Sequence, residues 1–287
     1  MATEKVLVLG TTGMLGNAVF RFLSRSPGFS VIGTARTSGA FRYLPEDLKG
    51  LVKVGVDVNN PDSLLELISD VRPTVVINCV GLIKQLAQAD DPLEILPINS
   101  ILPHRLAHLC KLADARLVHV STDCVFSGRR GMYVESDVSD TEDLYGKSKY
   151  IGEVDYSHSV TLRTSIIGHE LNSSNGLIGW FLNQEGQVKG YGSAIFSGLP
   201  TVELARVIKD YVIPNRSMQG LFHVSVEPIS KFDLLRLVSD VYGKKIDINR
   251  DDQLVIDRSL DSTRFRKLTG YRPPAWPELI QQMKSFG

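Results

Sequence analysis

Up to Thr164, short apolar runs alternate with amphipathic stretches. Strands are predicted at residues 6–9, 31–33, 52–56, 75–78, 117–120 and 160–163. Each run is short, rich in β-branched residues, and does not alternate apolar with polar. That is the pattern of strands buried on both faces. Helical spacing predicts helices over 14–23, 63–68, 103–112 and 145–153, with Pro61-Asp62 and Pro103 as helix starts. Strict alternation of strand and helix predicts an α/β fold with a doubly wound parallel sheet.

Beyond Thr164 the rhythm loosens, and Gly176, Gly179, Gly186, Gly190, Gly192, Gly198 and Pro200 punctuate the chain. Helices are predicted over 202–212, 231–241 and 277–284, with short strands at 221–224 and 246–248. The expected organisation is a cofactor-binding domain over 1–165 and a smaller α/β substrate-binding lobe over 166–287. Part of 195–225 is expected to return to the first sheet. Ligands of open α/β sheets bind beyond the carboxyl ends of the strands, so the cleft is expected between the lobes.

Composition narrows the partners. The 287 residues carry 32 Lys+Arg against 32 Asp+Glu, and 43% are hydrophobic. A protein that grips nucleic acid by its phosphates is usually strongly basic, so no nucleic-acid partner is expected. No apolar run reaches the ~18 residues of a membrane span. The opening residues carry no basic-then-apolar leader. A cytoplasmic protein with no membrane partner is expected. Cys79, Cys110 and Cys124 show no CxxC or His-paired spacing, which reads as reduced thiols. His104, His108, His119, His158, His169 and His223 form no compact pattern, so no metal site is expected. The pair Arg129-Arg130 reads as a solvated turn.

Directly after the first strand comes Gly10-Thr11-Thr12-Gly13-Met14-Leu15-Gly16, followed at once by a helix. Gly10 permits the tight turn, Gly13 lets the backbone approach a pyrophosphate, and Gly16 lets helix and strand pack closely. The phosphates then meet backbone N–H groups at the positive helix end. Thr12, Met14 and Leu15 share this turn and belong to the expected cofactor contacts. At the end of the second strand, Gly33-Thr34-Ala35-Arg36-Thr37-Ser38 offers no carboxylate for a ribose 2′-hydroxyl. Arg36 suits a 2′-phosphate by charge and bidentate geometry, which predicts NADPH over NADH. Asp57-Val58 after the third strand and Cys79-Val80-Gly81 after the fourth are expected at the same sheet edge. There a carboxylate can accept from the adenine amino group, and small residues let backbone pass close to the cofactor.

The fifth strand ends in Val120-Ser121-Thr122-Asp123, and further along comes Tyr145-Gly146-Lys147-Ser148-Lys149. Positions i and i+4 share a helix face, so Tyr145 and Lys149 are expected to point together toward Thr122. Free tyrosine has a pKa of about 10, and a nearby ammonium lowers it. Lys149 is therefore expected to tune Tyr145 as a general acid or base while holding the nicotinamide ribose. Thr122 is expected to bond the reacting carbonyl oxygen.

These segments together resemble the extended short-chain dehydrogenase/reductases and, more narrowly, the dTDP-4-dehydrorhamnose reductase family. The likeness rests on residues 10–16, Asp57-Val58, Asn78, residues 120–128, Tyr133-Val134-Glu135, residues 145–149 with Gly152-Glu153, and residues 162–165. Residues 198–201, 220–224 and 270–274 extend it over nearly the whole length. The resemblance implies hydride delivery from NADPH to the C4 ketone of a nucleotide-linked 4-keto-6-deoxyhexose. Tyr145 then protonates the oxygen, Lys149 lowers its pKa, and Thr122 fixes the carbonyl. The product is a nucleotide 6-deoxysugar for surface polysaccharide such as O-antigen, and a homodimer is common among relatives. The chain departs from the family at 81–88, at Cys124 where relatives carry Tyr, and at Thr141-Glu142-Asp143 where they carry Pro. These segments line the sugar pocket in relatives, so a UDP-linked 2-acetamido-2,6-dideoxy-4-hexulose is an alternative substrate. Lys84, Asp123, Cys124, Val125, Arg163 and Trp180 are the candidate substrate contacts. Epimerases and 4,6-dehydratases of the same superfamily tend to keep an acidic residue after strand two. Dehydratases also add a Glu beside the catalytic threonine, absent from Thr122-Asp123-Cys124. A non-catalytic subunit, like the related regulatory subunit of methionine adenosyltransferase, has no need of Thr122, Tyr145 and Lys149.

Overall fold

The computed structural model describes residues 3–85, 87–171 and 173–287. The first half runs β1 (Glu4–Leu9), α1 (Met14–Ser24), β2 (Phe29–Ala35), β3 (Val52–Val54), α2 (Pro61–Val71), β4 (Val75–Asn78), α3 (Pro92–Leu96), α4 (Leu102–Leu112), β5 (Arg116–Thr122), α5 (Leu144–Ile151) and β6 (Ser159–Thr164). The second half adds β7 (Ile166–Ile167), α6 (Leu177–Leu182), β8 (Gln187–Tyr191), β9 (Ala194–Phe196), β10 (Leu199–Pro200), α7 (Thr201–Val207), β11 (Gly220–His223), β12 (Ile229–Ser230), α8 (Lys231–Tyr242), β13 (Asp247–Asp251), β14 (Ile256–Asp257), α9 (Thr263–Thr269) and α10 (Trp276–Phe286).

Seven strands form one sheet in the order β11-β6-β5-β4-β1-β2-β3, every pair parallel. The order reverses between β1 and β4, which opens a crevice at their carboxyl ends. Successive strand residues face opposite sides. In β1, Val6 and Val8 enter the core under α1 and α7, while Leu7 and Leu9 enter the core under α2 and α4. Both faces are covered, which is why the strand runs do not alternate.

Local chemistry sets the helix ends. Asn60 caps α2 by accepting from the N–H groups of Asp62 and Ser63 at 2.9 and 3.4 Å, with Pro61 leading the helix. The helix expected from 103 is part of a longer run. Between α3 and α4, Pro97–Ile101 forms a wide turn in which the Leu102 N–H reaches back to the Pro97 carbonyl. Proline lacks a backbone donor and so disturbs the regular ladder there.

The lobe packs β12-β9-β14 and the β13-β8 pair against α6, α8 and α10 around Phe181, Phe196, Leu234, Val238 and Ile280. The run expected near 221 is β11, which leaves the lobe and pairs with β6 at the edge of the large sheet.

Candidate active site

The glycine turn is shaped by close approaches. Gly10 has φ +88°, and a Cβ there would press Val80 Cγ2 at 3.1 Å and the Cys79 carbonyl at 3.3 Å. A Cβ at Gly16 would lie 2.0 Å from the Gly10 oxygen. Gly13 is exposed and heads α1, with no side-chain cap and no acidic residue in the first turn among the described residues. The first-turn amides and the positive helix end are thus open to an anion. This cradle fits a dinucleotide diphosphate. Thr12 and Met14 are half-buried in it, whereas the Leu15 side chain packs in the core and offers only its backbone. Asn17 steadies the turn by donating to the carbonyls of Thr11 and Tyr43, both at 3.3 Å.

Arg36 is exposed immediately past β2. Asp57 is exposed past β3 and accepts from the Asn59 N–H at 2.9 Å, while Val58 leans on the core. At the end of β4, buried Asn78 holds the Val80 N–H at 3.1 Å and faces His119 Nδ1 at 3.2 Å. Cys79 and Val80 are half-buried and Gly81 is exposed.

Thr122 closes β5. Its hydroxyl accepts from the Cys124 N–H at 3.1 Å and donates to Asp123 Oδ1 at 3.2 Å. Tyr145 lies in the first turn of α5, facing the Thr122 hydroxyl. Gly146 is required beside it, because a Cβ would meet the Cys124 carbonyl at 2.3 Å. Lys149 is buried, donates to the Val120 carbonyl at 2.8 Å, and lies 4.0 Å from a Cβ placed on Gly81.

The electrostatics differ from the sequence expectation. Burial raises the Tyr145 phenol above its ordinary range, with Cys124, Asp123 and Asp143 adding to the rise and the Thr122 hydrogen bond opposing it. The Lys149 ammonium is engaged by the Val120 carbonyl and is itself pushed down to about 8 by burial, with Glu153 the first of the groups opposing that fall. Burial also raises the Asp123 carboxyl, against the pull of Arg258, and pushes the Cys124 thiol up to about 12.

Of the candidate substrate contacts, two are corrected. Arg163 is 1% exposed; it forms a two-point ion pair with Glu153, donates to His223 Nε2 at 2.9 Å and lies over the Phe126 ring. Every edge of its guanidinium is occupied, so it does not face a substrate. Val125 is fully buried with Phe126, Tyr133 and Leu260 and contacts only core. Lys84 is half-exposed and paired with Asp143 at 2.6 Å. Of the departing segment 81–88, Leu86 lies outside the described residues. Cys124 Sγ receives Arg258 Nη1 at 3.9 Å, and Asp123 faces Arg258 and Lys231. Trp180 packs on the lobe core and also lines a cavity of about 210 Å³ with Leu177, Lys189, Tyr191, Lys231 and Leu235.

Sequence reasoning missed Asn99, Asp143 and Arg258. Asn99, on the wide turn between α3 and α4, accepts from the Leu82 N–H at 2.9 Å and donates to the Leu82 carbonyl at 3.0 Å and Ser148 Oγ at 3.2 Å. It ties the loop after β4 to α5. The signal available was three prolines, at 92, 97 and 103, inside one helical pattern; wide turns of this kind are frequent at functional sites. Asp143 caps α5 by accepting from the Gly146 N–H at 2.7 Å.

Comparison with known proteins adds four likenesses. The family profile described as the RmlD substrate binding domain matches residues 4–284. A dTDP-4-dehydrorhamnose reductase from Aggregatibacter actinomycetemcomitans is 23% identical over 98% of this chain and 99% of its own length. The methionine adenosyltransferase 2 subunit beta of Danio rerio is 26% identical over 84% of this chain and 74% of its own. Among solved structures, the dTDP-4-dehydrorhamnose reductase of Bacillus anthracis str. Ames in complex with NADP superimposes with a TM-score of 0.78, at 20% identity and 99% coverage of both chains.

Proposed function

The chain belongs to the RmlD substrate binding domain family, and from that premise we propose that it is an NADPH-dependent oxidoreductase. Its substrate is a nucleotide-linked 4-keto-6-deoxyhexose, reduced at the C4 ketone for surface polysaccharide synthesis. Support comes from the Aggregatibacter actinomycetemcomitans relative, a dTDP-4-dehydrorhamnose reductase that aligns end to end. The observation that carries the reading is the convergence of an uncapped glycine cradle, Thr122, Tyr145 and Lys149 at one edge of the sheet.

NADPH, when bound, supplies the hydride. The amides at the head of α1 hold its diphosphate, and Arg36 holds its 2′-phosphate. Lys149 donates to the ribose hydroxyls. Thr122 turns its one hydroxyl proton from Asp123 to the C4 oxygen and orients the carbonyl. Tyr145 keeps its proton at neutral pH because burial raises its pKa, so it stands ready as the acid that protonates the developing alkoxide. Lys149, at about 8, adds positive charge without abstracting that proton.

A panel of dTDP- and UDP-linked 4-keto-6-deoxysugars, read by loss of NADPH absorbance, tests the reading. Oxidation with a dTDP sugar supports the main substrate, and oxidation only with the UDP 2-acetamido sugar supports the alternative. No oxidation with any member defeats the reductase reading. Similarity to the Danio rerio subunit favours a second reading, a non-catalytic NADP-binding partner of another enzyme. Tyr145→Phe separates the two: an enzyme loses turnover while keeping NADPH binding. A cytoplasmic location and a homodimer belong to the main reading, and sedimentation of the purified protein checks the second. Among the described residues no helix is long and apolar enough to cross a membrane.

A further inference from the structure

Behind the catalytic side chains lies a buried network that the reaction as described does not use. Tyr145, Lys149 and Glu153 recur every fourth residue, so they follow one side of α5 and its C-terminal turn. The Glu153 carboxylate accepts from Ser121 Oγ at 2.7 Å, from Arg163 Nε at 2.9 Å and from Arg163 Nη2 at 2.5 Å. His223 receives Arg163 on Nε2 and donates from Nδ1 to the Tyr133 carbonyl at 3.0 Å, which locks a neutral tautomer. The end of β5 is therefore held residue by residue. Lys149 takes the Val120 carbonyl, Glu153 takes Ser121, and Tyr145 faces Thr122.

One carboxylate thus serves two cations, since Glu153 also acts on Lys149. The other titratable groups that face Lys149 are Cys79 beyond β4 and His119 on β5. Burial pushes the Cys79 thiol up to about 12 and drives His119 well below its ordinary value, so both are neutral at physiological pH. Glu153 is left as the anion of the site.

We propose that Glu153 is a positioning residue: fixed by Arg163 and Ser121, its carboxylate keeps the Lys149 ammonium charged and holds in register the strand end that carries Thr122. Its consequence for turnover rests on the reductase reading, but its test does not. The titration of Lys149 is followed by the ¹³C shift of its ε-carbon in lysine-labelled protein, assigned with Lys149→Arg. The wild-type midpoint is expected at about 8. Glu153→Gln is expected to lower it by about one unit, roughly a tenfold shift in the protonation equilibrium, and Glu153→Asp to restore it. Glu153→Asp keeps the negative charge, so the proposal stays testable if Glu153→Gln fails to fold. In turnover, Glu153→Gln is expected to move the alkaline limb of kcat to lower pH. A merely structural role would lower kcat and thermal stability with that limb in place. An unmoved midpoint in Glu153→Gln, or one in Glu153→Asp as low as in Glu153→Gln, overturns the proposal. A wild-type protein that fails to oxidise NADPH with any 4-keto sugar overturns the reductase reading instead and leaves the titration result standing.

Discussion

Arg36 and Gly16 carry opposite kinds of specificity. Arg36 is a charge held in solvent at the end of β2, and in the proposed function it serves one phosphate group. Arg36→Ala is expected to weaken NADPH binding roughly tenfold or more, by loss of charge-assisted hydrogen bonds worth about 1.5–3 kcal/mol, and to leave NADH binding nearly unchanged. Fluorescence titration with both cofactors checks this, and equal affinities without loss for NADPH would refute it. Gly16 acts through shape. A methyl group there must displace the Gly10 carbonyl, 2.0 Å away, and with it the turn. Gly16→Ala is expected to abolish cofactor binding and to lower the thermal midpoint, since overpacking costs about 1–3 kcal/mol. Both residues were legible because each fulfils a local rule. Arg163 was not, because nothing local announces that Glu153 and His223 will enclose it.

At the scale of elements, α5 depends on its first turn. Asp143 caps the helix and is itself clamped by Lys84 from the loop after β4. Asp143→Ala is expected to cost about 1 kcal/mol, a fall of about 2–4 °C in the melting temperature, and to lower kcat because Tyr145 sits in the turn that loosens. Lys84→Met removes a half-exposed ion pair worth about 0–1 kcal/mol, so its melting temperature should hardly move. If Lys84 also touches substrate, its KM rises; if it only clamps Asp143, kcat falls instead. The strands β1, β2 and β4 to β6 and helices α1, α2, α4, α5 and α8 could be read from periodicity, because each buries a face, and β3 from its β-branched run although only Val52 of it is buried. Lobe strands β8 and β9 could not: Gly190, Gly192 and Ser193 weaken the pattern, and their pairing with β13 and β14 is made by distant residues. The short turns at Ser38–Tyr43 and Glu46–Leu51 carry no period long enough to detect.

For the molecule as a whole, balanced charge of 32 against 32 leaves the attraction of a polyanionic ligand to local features. These are the head of α1, Arg36, and the Lys231–Arg258 side of the cleft. Two buried imidazoles make the fold sensitive to acid, and half-buried His169, also lowered by burial, adds in the same direction. His223 is pushed down to about 3 by burial and Arg163, and His119 is driven well below its ordinary value by burial and then Lys149. In the unfolded chain both titrate at about 6.5. The native state then binds fewer protons, so stability is lost as pH falls from about 6.5, by up to about 1.4 kcal/mol per unit for each histidine. Urea midpoints between pH 7 and pH 5 should show this slope, and His223→Gln should make it shallower; a flat profile contradicts it. The return of β11 to the edge of the sheet also bears on folding autonomy. A polypeptide that stops at residue 165 leaves β6 paired to β5 alone, with no partner for its outer edge, and its Val160 and Leu162 are fully buried in the intact protein. Its bare edge is a template for pairing with other chains. Such a half is expected to be recovered as aggregate, and cleavage in the segment before β11 to be harmless only while the two pieces stay associated. The second half of the chain is thus laced through the large sheet, and the two halves are expected to be completed together.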